Sequence, residues 1–165
     1  LHRHVRVRTR RPERVGQPRR IRAAAISLIF DTGVLVGAFD RSDEAHSACA
    51  ALIEGTQERR VIPSPVLVEV DHFLGRFAGE QAFVAVLDQV RRGAFQVEDL
   101  TTSDYERAVD LLRTYADLKV GFVDCAVLAV TERLGEPKLA TLDHRHFGTM
   151  RPRHAEALEL LPLLS

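Results

Sequence analysis

The chain has 165 residues, 45% of them apolar and 28% charged, with a formal net charge of zero. That length suits one domain whose core needs no metal or disulfide staple, and no apolar run approaches the ~20 residues of a membrane span. Two cysteines, Cys49 and Cys125, are too few for a secreted scaffold and fit a reducing cytoplasm, so collagen, coiled coil, membrane protein and disulfide mini-domain are excluded.

The zero average hides a split. Residues 1–22 carry nine arginines against one acid, Glu13, a net charge of +8, which leaves −8 on the remainder. With two prolines and no hydrophobic periodicity, residues 1–24 read as a disordered or extraneous arginine-rich tail. An arm that grips phosphate is the functional alternative. Residues 25–165 read as one domain.

Along that domain, strand and helix signals alternate. Ser27–Phe30 is a short apolar strand that stops at Asp31. A short helix follows over Gly33–Phe39. A second is expected from Ser42 as N-cap, with Asp43 and Glu44 in its first turn, to Gly55. Arg60–Pro63 reads as a strand, and Pro65 opens a helix to Phe77. Gly79 begins a helix to Arg92, closed by Gly93, and Ala94–Leu100 reads as a strand. Ser103-x-x-Glu106 has the form of a capping box for a helix to about Leu118. Gly121–Leu134 is a helix closed by Gly135, Lys138–Leu142 a strand ending at Asp143, and Ala157–Leu161 an edge strand or short helix. Strands separated by helix-length segments imply right-handed crossovers, hence a three-layer α/β/α domain with a mainly parallel sheet. Ligands in such sheets sit outside the carboxyl ends of the strands.

Acids cluster at that edge in the pattern. Asp31 and Asp143 each follow a strand directly, and each alone could be a helix cap. On the Pro65–Phe77 helix, Glu69 lies roughly 90° from the centre of the stripe Val66, Val70, Phe73, Leu74 and Phe77, at the margin of the buried face. Asp124 stands in the first turn of a helix that is apolar nearly all round, where it needs a partner. A helix dipole or free backbone amides would serve. Four carboxylates on one rim repel unless neutralised, no Lys or Arg adjoins them in sequence, and a divalent cation with hard oxygen ligands answers the need.

Taken in order, strand–Asp31-Thr32, Pro65-x-x-x-Glu69, Gly121-Phe122-x-Asp124-Cys125-Ala126 and Thr141-Leu142-Asp143-x-x-His146-Phe147 resemble the PIN domain family. The VapC-type toxin ribonucleases of bacterial toxin–antitoxin pairs are the nearest kind, and the resemblance spans about residues 27–162. It implies an Mg²⁺- or Mn²⁺-dependent endoribonuclease in which Asp31, Glu69, Asp124 and Asp143 are the catalytic and metal-holding acids. Thr32 and Thr141 match the supporting hydroxyl residues. The family pattern usually has Ala where Cys125 stands, one small residue for another. The resemblance further implies water as nucleophile, a homodimer, a cognate VapB-like antitoxin, an RNA substrate (tRNA or ribosomal RNA) and a cytoplasmic location. Residues 42–54 and 65–92 are the candidate surfaces for the protein contacts. Arg145, Arg151 and Arg153, with Arg76, Arg91 and Arg92, are candidate grips on the RNA backbone.

Other readings carry less. His144, His146 and His154 lack a fourth ligand at a zinc-like spacing, and His146 with Phe147 is expected to close the loop after Asp143. Asp40 and Asp43 are read as a turn and a cap that could reach the pocket. Cys125 is read as a small buried apolar residue, and Phe73, Phe77, Phe83 and Phe95 as core. A phosphatase or phospho-receiver on a related sheet is the alternative enzyme class, but Gly33 stands where the phosphatase pattern wants a second Asp. A non-catalytic PIN-like interaction module is the third reading.

Overall fold

Four consecutive buried residues, Ser27–Phe30, form strand β1 at the centre of the sheet, since a strand covered on both faces can be apolar without alternation. The structure, a computed structural model, describes residues 26–163, so the expected arginine-rich tail lies outside the described residues. In chain order follow α1 (Thr32–Gly37), α2 (His46–Gly55), β2 (Arg59–Pro63), α3 (Ser64–Phe77), α4 (Glu80–Arg91), β3 (Gln96–Glu98), α5 (Thr102–Thr114), α6 (Phe122–Leu134), β4 (Lys138–Ala140), α7 (His144–Thr149) and β5 (Glu159–Leu161).

The strand order is β3-β2-β1-β4-β5 and every pair is parallel. This is the expected three-layer α/β/α arrangement. The chain builds outward from β1 to β3, then returns to place β4 on the other side of β1. That reversal opens a crevice at the carboxyl ends of β1 and β4, where Asp31 and Asp143 leave the sheet. The core joins Leu28, Ile29 and Phe30 of β1 to Val66, Val70 and Leu74 of α3, all completely buried. Phe95 packs edge-on against Phe30, with ring centroids 5.4 Å apart.

Helix α6 runs as expected from Gly121 to Gly135, whose φ of 70° is the left-handed cap that favours glycine. Other boundaries differ from expectation for local reasons. Ser42 does not cap α2: the Asp40 carboxylate accepts from its N–H and hydroxyl, and Asp43 Oδ1 accepts from Ala45 N. These side-chain turns hold the backbone off the helix until His46. The capping box of α5 is Thr101 with Asp104, not Ser103 with Glu106, and Arg133 fixes the Asp104 carboxylate from α6. That helix stops at Thr114, where a 3₁₀ turn over Ala116–Leu118 takes over. Strands β3 and β4 are shorter than the apolar runs that mark them. The edge-strand choice for the last segment holds as β5. Residues 144–149, read as a loop, form α7, with Asp143 as its N-cap.

Phe73 and Phe77 are not core, being 42% and 48% exposed. Phe73 faces the cavity at the carboxyl edge of the sheet, and Phe77 falls in the last turn of α3 beyond the buried stripe. The two faces of α3 therefore make opposite demands. Leu74→Ala should cost about 2–5 kcal/mol, whereas Val68→Ala, at a residue 73% exposed, should stay within about 0.5 kcal/mol. Urea unfolding midpoints check both.

Candidate active site

Asp31 leaves β1 with its N–H donating to Ala140 O at 2.9 Å, which ties the exits of β1 and β4 together. The residue is 6% exposed. Oδ1 accepts from Thr32 N at 2.7 Å, capping α1, and Oδ2 accepts from the Thr141 hydroxyl at 2.7 Å. Asp31 therefore caps α1 and lines the cavity at once. Thr32 Oγ1 in turn donates to Glu69 Oε2 at 2.8 Å, and Asp143 N–H donates to Thr141 Oγ1 at 3.0 Å. One chain of hydrogen bonds thus runs from Asp143 through Thr141, Asp31 and Thr32 to Glu69, across four elements.

Asp124 is the third residue of α6, and its Oδ2 accepts from Gly121 N at 3.0 Å, so it satisfies a free amide of its own helix terminus as it faces the cavity. Asp143 Oδ1 accepts from His146 N at 2.8 Å. The His146 imidazole stands between the two acids, its Nδ1 3.1 Å from Asp124 Oδ2 and 2.8 Å from Asp143 Oδ2. Gly33 allows the walls to close: a Cβ there would come within 3.3 Å of Leu142 Cβ, so a side chain would push the Asp143 turn away from α1.

Asp31, Glu69, Asp124 and Asp143 all line one cavity of about 610 Å³, with Thr32 at its wall and Thr141 completely buried behind it. Among the described residues no Lys or Arg forms an ion pair with any of the four, and the basic side chain within ion-pair distance of them is His146. Of the three arginines expected nearby, Arg145 lines the cavity. Arg153 is instead turned to Asp110 at 3.0 Å, on α5. Arg151 is exposed, and its backbone N–H donates to the Tyr115 hydroxyl. Arg91 and Arg92 pair with Asp88. Asp43, an outside candidate in the sequence, does line the cavity. The sequence favours a loop-closing role for His146 over a zinc ligand; the signal for its place beside the acids is the Asp-x-x-His spacing, which at a helix N-terminus brings residue i+3 back onto the cap. Cys125 is completely buried and burial pushes its thiol up to about 11, so it is no nucleophile.

Burial raises the Asp31 carboxyl to about 6, against the pull of the Thr141 and Thr32 hydrogen bonds and helped by the charges of Asp124 and Glu69. Ligand atoms of Asp124, Asp143 and His146 all lie within 4.8 Å of one another, and Asp31 and Glu69 line the same cavity outside that group; carboxylate oxygens from separate elements suit a hard divalent cation. Two unit charges at that spacing repel by about 3 kcal/mol at an effective dielectric constant of 20.

The sequence profile of the PIN domain family matches residues 28–151, a stretch that contains all four acids. The chain belongs to the PIN domain family. This membership sets aside the phosphatase and phospho-receiver alternatives. Ribonuclease VapC26 of Mycobacterium tuberculosis is 27% identical to this PIN domain over 135 residues, 82% of this chain and 100% of that protein. Among solved structures, the sarcin–ricin loop cleaving toxin VapC20 of M. tuberculosis superposes with a TM-score of 0.67 at 22% identity, over 73% of this chain and 92% of that one. A toxin–antitoxin complex from Klebsiella pneumoniae gives 0.60 at 20% identity, over 82% and 97%. These two structural likenesses bear on the fold. Among the described residues no helix is long and apolar enough to cross a membrane.

Asp31 makes stability depend on pH. Its folded pKa, about 6, lies above the unfolded value near 3.9, so the folded chain holds a proton that the unfolded chain releases. The stability this confers is complete below about pH 4 and is lost as pH rises through about 6. In metal-free protein the loss should reach about 3 kcal/mol. Asp31→Asn should remove that slope, read from urea unfolding of both proteins between pH 4 and pH 7.5.

Proposed function

We propose that this PIN domain is the toxin of a toxin–antitoxin pair, an endoribonuclease that hydrolyses RNA phosphodiester bonds with Mg²⁺ or Mn²⁺ held by Asp31, Glu69, Asp124 and Asp143. One observation carries the reading: four carboxylates from four separate elements line one cavity, and among the described residues no Lys or Arg forms an ion pair with them. The kinship to a protein named a ribonuclease, and the fold shared with toxin–antitoxin structures, support the substrate class and the partner. Intact acids favour an enzyme over a non-catalytic interaction module.

A bound cation supplies Lewis-acid polarisation of the phosphate and a water of lowered pKa. The chain itself supplies position. Thr141 and the Thr32 amide hold both oxygens of Asp31, so its orientation is set before any ligand arrives. The Thr32 hydroxyl turns Glu69 toward the same point. Arg145 at the cavity wall is placed to meet a phosphate flanking the cleaved bond. The substrate is a folded cellular RNA, tRNA or ribosomal RNA. A VapB-like antitoxin and a second copy of the chain are the protein partners. The exposed apolar side chains Val68, Phe77, Val84 and Leu87 of α3 and α4 suit such contacts.

Asp31→Asn and Asp124→Asn should each lower RNA cleavage by more than the about 10–100-fold typical of changes behind a metal ligand. Chelator should abolish cleavage, and Mg²⁺ or Mn²⁺ should restore it. Mapped products should carry 5′-phosphate and 3′-hydroxyl ends. Cleavage that persists in chelator and leaves cyclic phosphates would contradict the reading.

Arg145→Ala should raise KM by about 10-fold with little change in kcat, the mark of a lost phosphate contact. The parallel change Arg153→Ala should leave both within about twofold, because that side chain is engaged with Asp110.

A further inference from the structure

His146 has no part in the scheme above, yet it touches the acids from two sides. Its backbone N–H donates to Asp143 Oδ1 at 2.8 Å. Its Nδ1 lies in hydrogen-bond geometry 3.1 Å from Asp124 Oδ2, and 2.8 Å from Asp143 Oδ2. One residue therefore engages both oxygens of Asp143 and joins α7 to α6 through a carboxylate on each. The imidazole is largely buried, whereas the Asp143 side chain is 38% exposed and sits at the mouth of the cavity. Without a donor beside it, a carboxylate so exposed, facing a second carboxylate, gains by swinging into water and away from its neighbour.

We propose that His146 is a positioning residue of the site, whose Nδ1, hydrogen-bonded to Asp124 Oδ2 and in contact with Asp143 Oδ2, keeps the two carboxylates together where they would hold one divalent cation. The inference rests on the metal-dependent reading given above. Asp124 Oδ2 accepts from both Gly121 N and the imidazole, which leaves Asp124 Oδ1 to ligate, while Asp143 Oδ2 keeps a second lone pair. The arrangement is that of an outer donor orienting ligands, here serving two at once.

The test is Mn²⁺ affinity without RNA, measured by the EPR signal of free Mn²⁺ for wild type, His146→Asn, His146→Gln and His146→Ala. The Asn amide puts a donor where Nδ1 stands, while the Gln amide carries its donor toward Nε2. The Asn variant should stay within about threefold of wild type, and the Ala and Gln variants should bind about 10–100-fold more weakly. Circular dichroism melts confirm that each variant is folded, and the Gln variant serves if the Ala variant is not. Pulsed EPR of Mn²⁺ on wild type should show no directly bonded nitrogen. Wild-type affinity in the Ala and Gln variants overturns the proposal, as does an Asn variant as weak as Ala. A directly bonded nitrogen also overturns it, since His146 would then be a ligand. If wild type binds Mn²⁺ but cleaves no RNA, the ribonuclease reading falls while the variant series still decides this one. If wild type binds no Mn²⁺, both fall.

Discussion

Mutual repulsion among carboxylates at one edge of a parallel sheet is the constraint around which this domain is arranged. Asp31 is nearly inaccessible to water and shares its cavity with Glu69, Asp124 and Asp143. Such a gathering is unfavourable in the bare protein, and the Asp31 pKa is raised by burial first and by the charges of Asp124 and Glu69 besides. What keeps the acids in place is hydrogen bonding from neutral donors, namely two threonine hydroxyls and backbone amides, joined by one imidazole. Neutral donors orient a carboxylate without cancelling its charge, so the site keeps its appetite for a cation. An arginine in the same place would have satisfied the acids and closed the site.

The topology explains why residues so far apart in sequence can meet. Placing β4 beside β1 brings Thr141 to Asp31, 110 positions away, at 2.7 Å. Helix α3 then needs only its first two turns to present Glu69 to Thr32. Helix α6 meets the cavity with its N-terminal turn, where amide groups of its own first turn already favour an acid. Asp31, Asp124 and Asp143 thus meet a local demand of the backbone, as a cap or a first-turn acid, besides their place in the shared cavity, whereas Glu69 is held by the Thr32 hydroxyl.

The rest of the charge is disposed to leave this edge undisturbed. Arg107 and Glu132 form a two-point ion pair between α5 and α6, both largely buried. Arg133 reaches Asp104 and Glu98, Arg153 reaches Asp110, and Lys138 reaches Glu58. Those cations brace helix against helix and strand against loop. Of the arginines near the last helix, Arg145 lines the cavity while Arg153 is engaged elsewhere. The cavity therefore keeps the negative sign that the composition of the domain foreshadows.

Much of this was legible in the chain of letters. An unbroken apolar run that stops at an acid, as at Phe30–Asp31, marks a buried parallel strand, and Gly121 and Gly135 bracket α6 because helix ends have local chemistry. The order of Asp31, Glu69, Asp124 and Asp143 was enough to suggest the family, since each stands in its own short pattern. Boundaries set by competing side chains were not legible: the turns made by Asp40 and Asp43 displace the start of α2, and Arg133, from another helix, helps select Asp104 over Glu106 for the cap of α5. Neither was the outward turn of Phe73, whose spacing is that of a core residue but whose side chain faces the cavity. The clasp of His146 on two acids, and the diversion of Arg153 to Asp110, depend on where α6 and α7 come to rest. Local patterns determine what each segment can become, because capping and periodicity act within a few residues. Which charged groups meet is decided only by packing, because an ion pair or a shared cavity joins residues that no short-range rule connects.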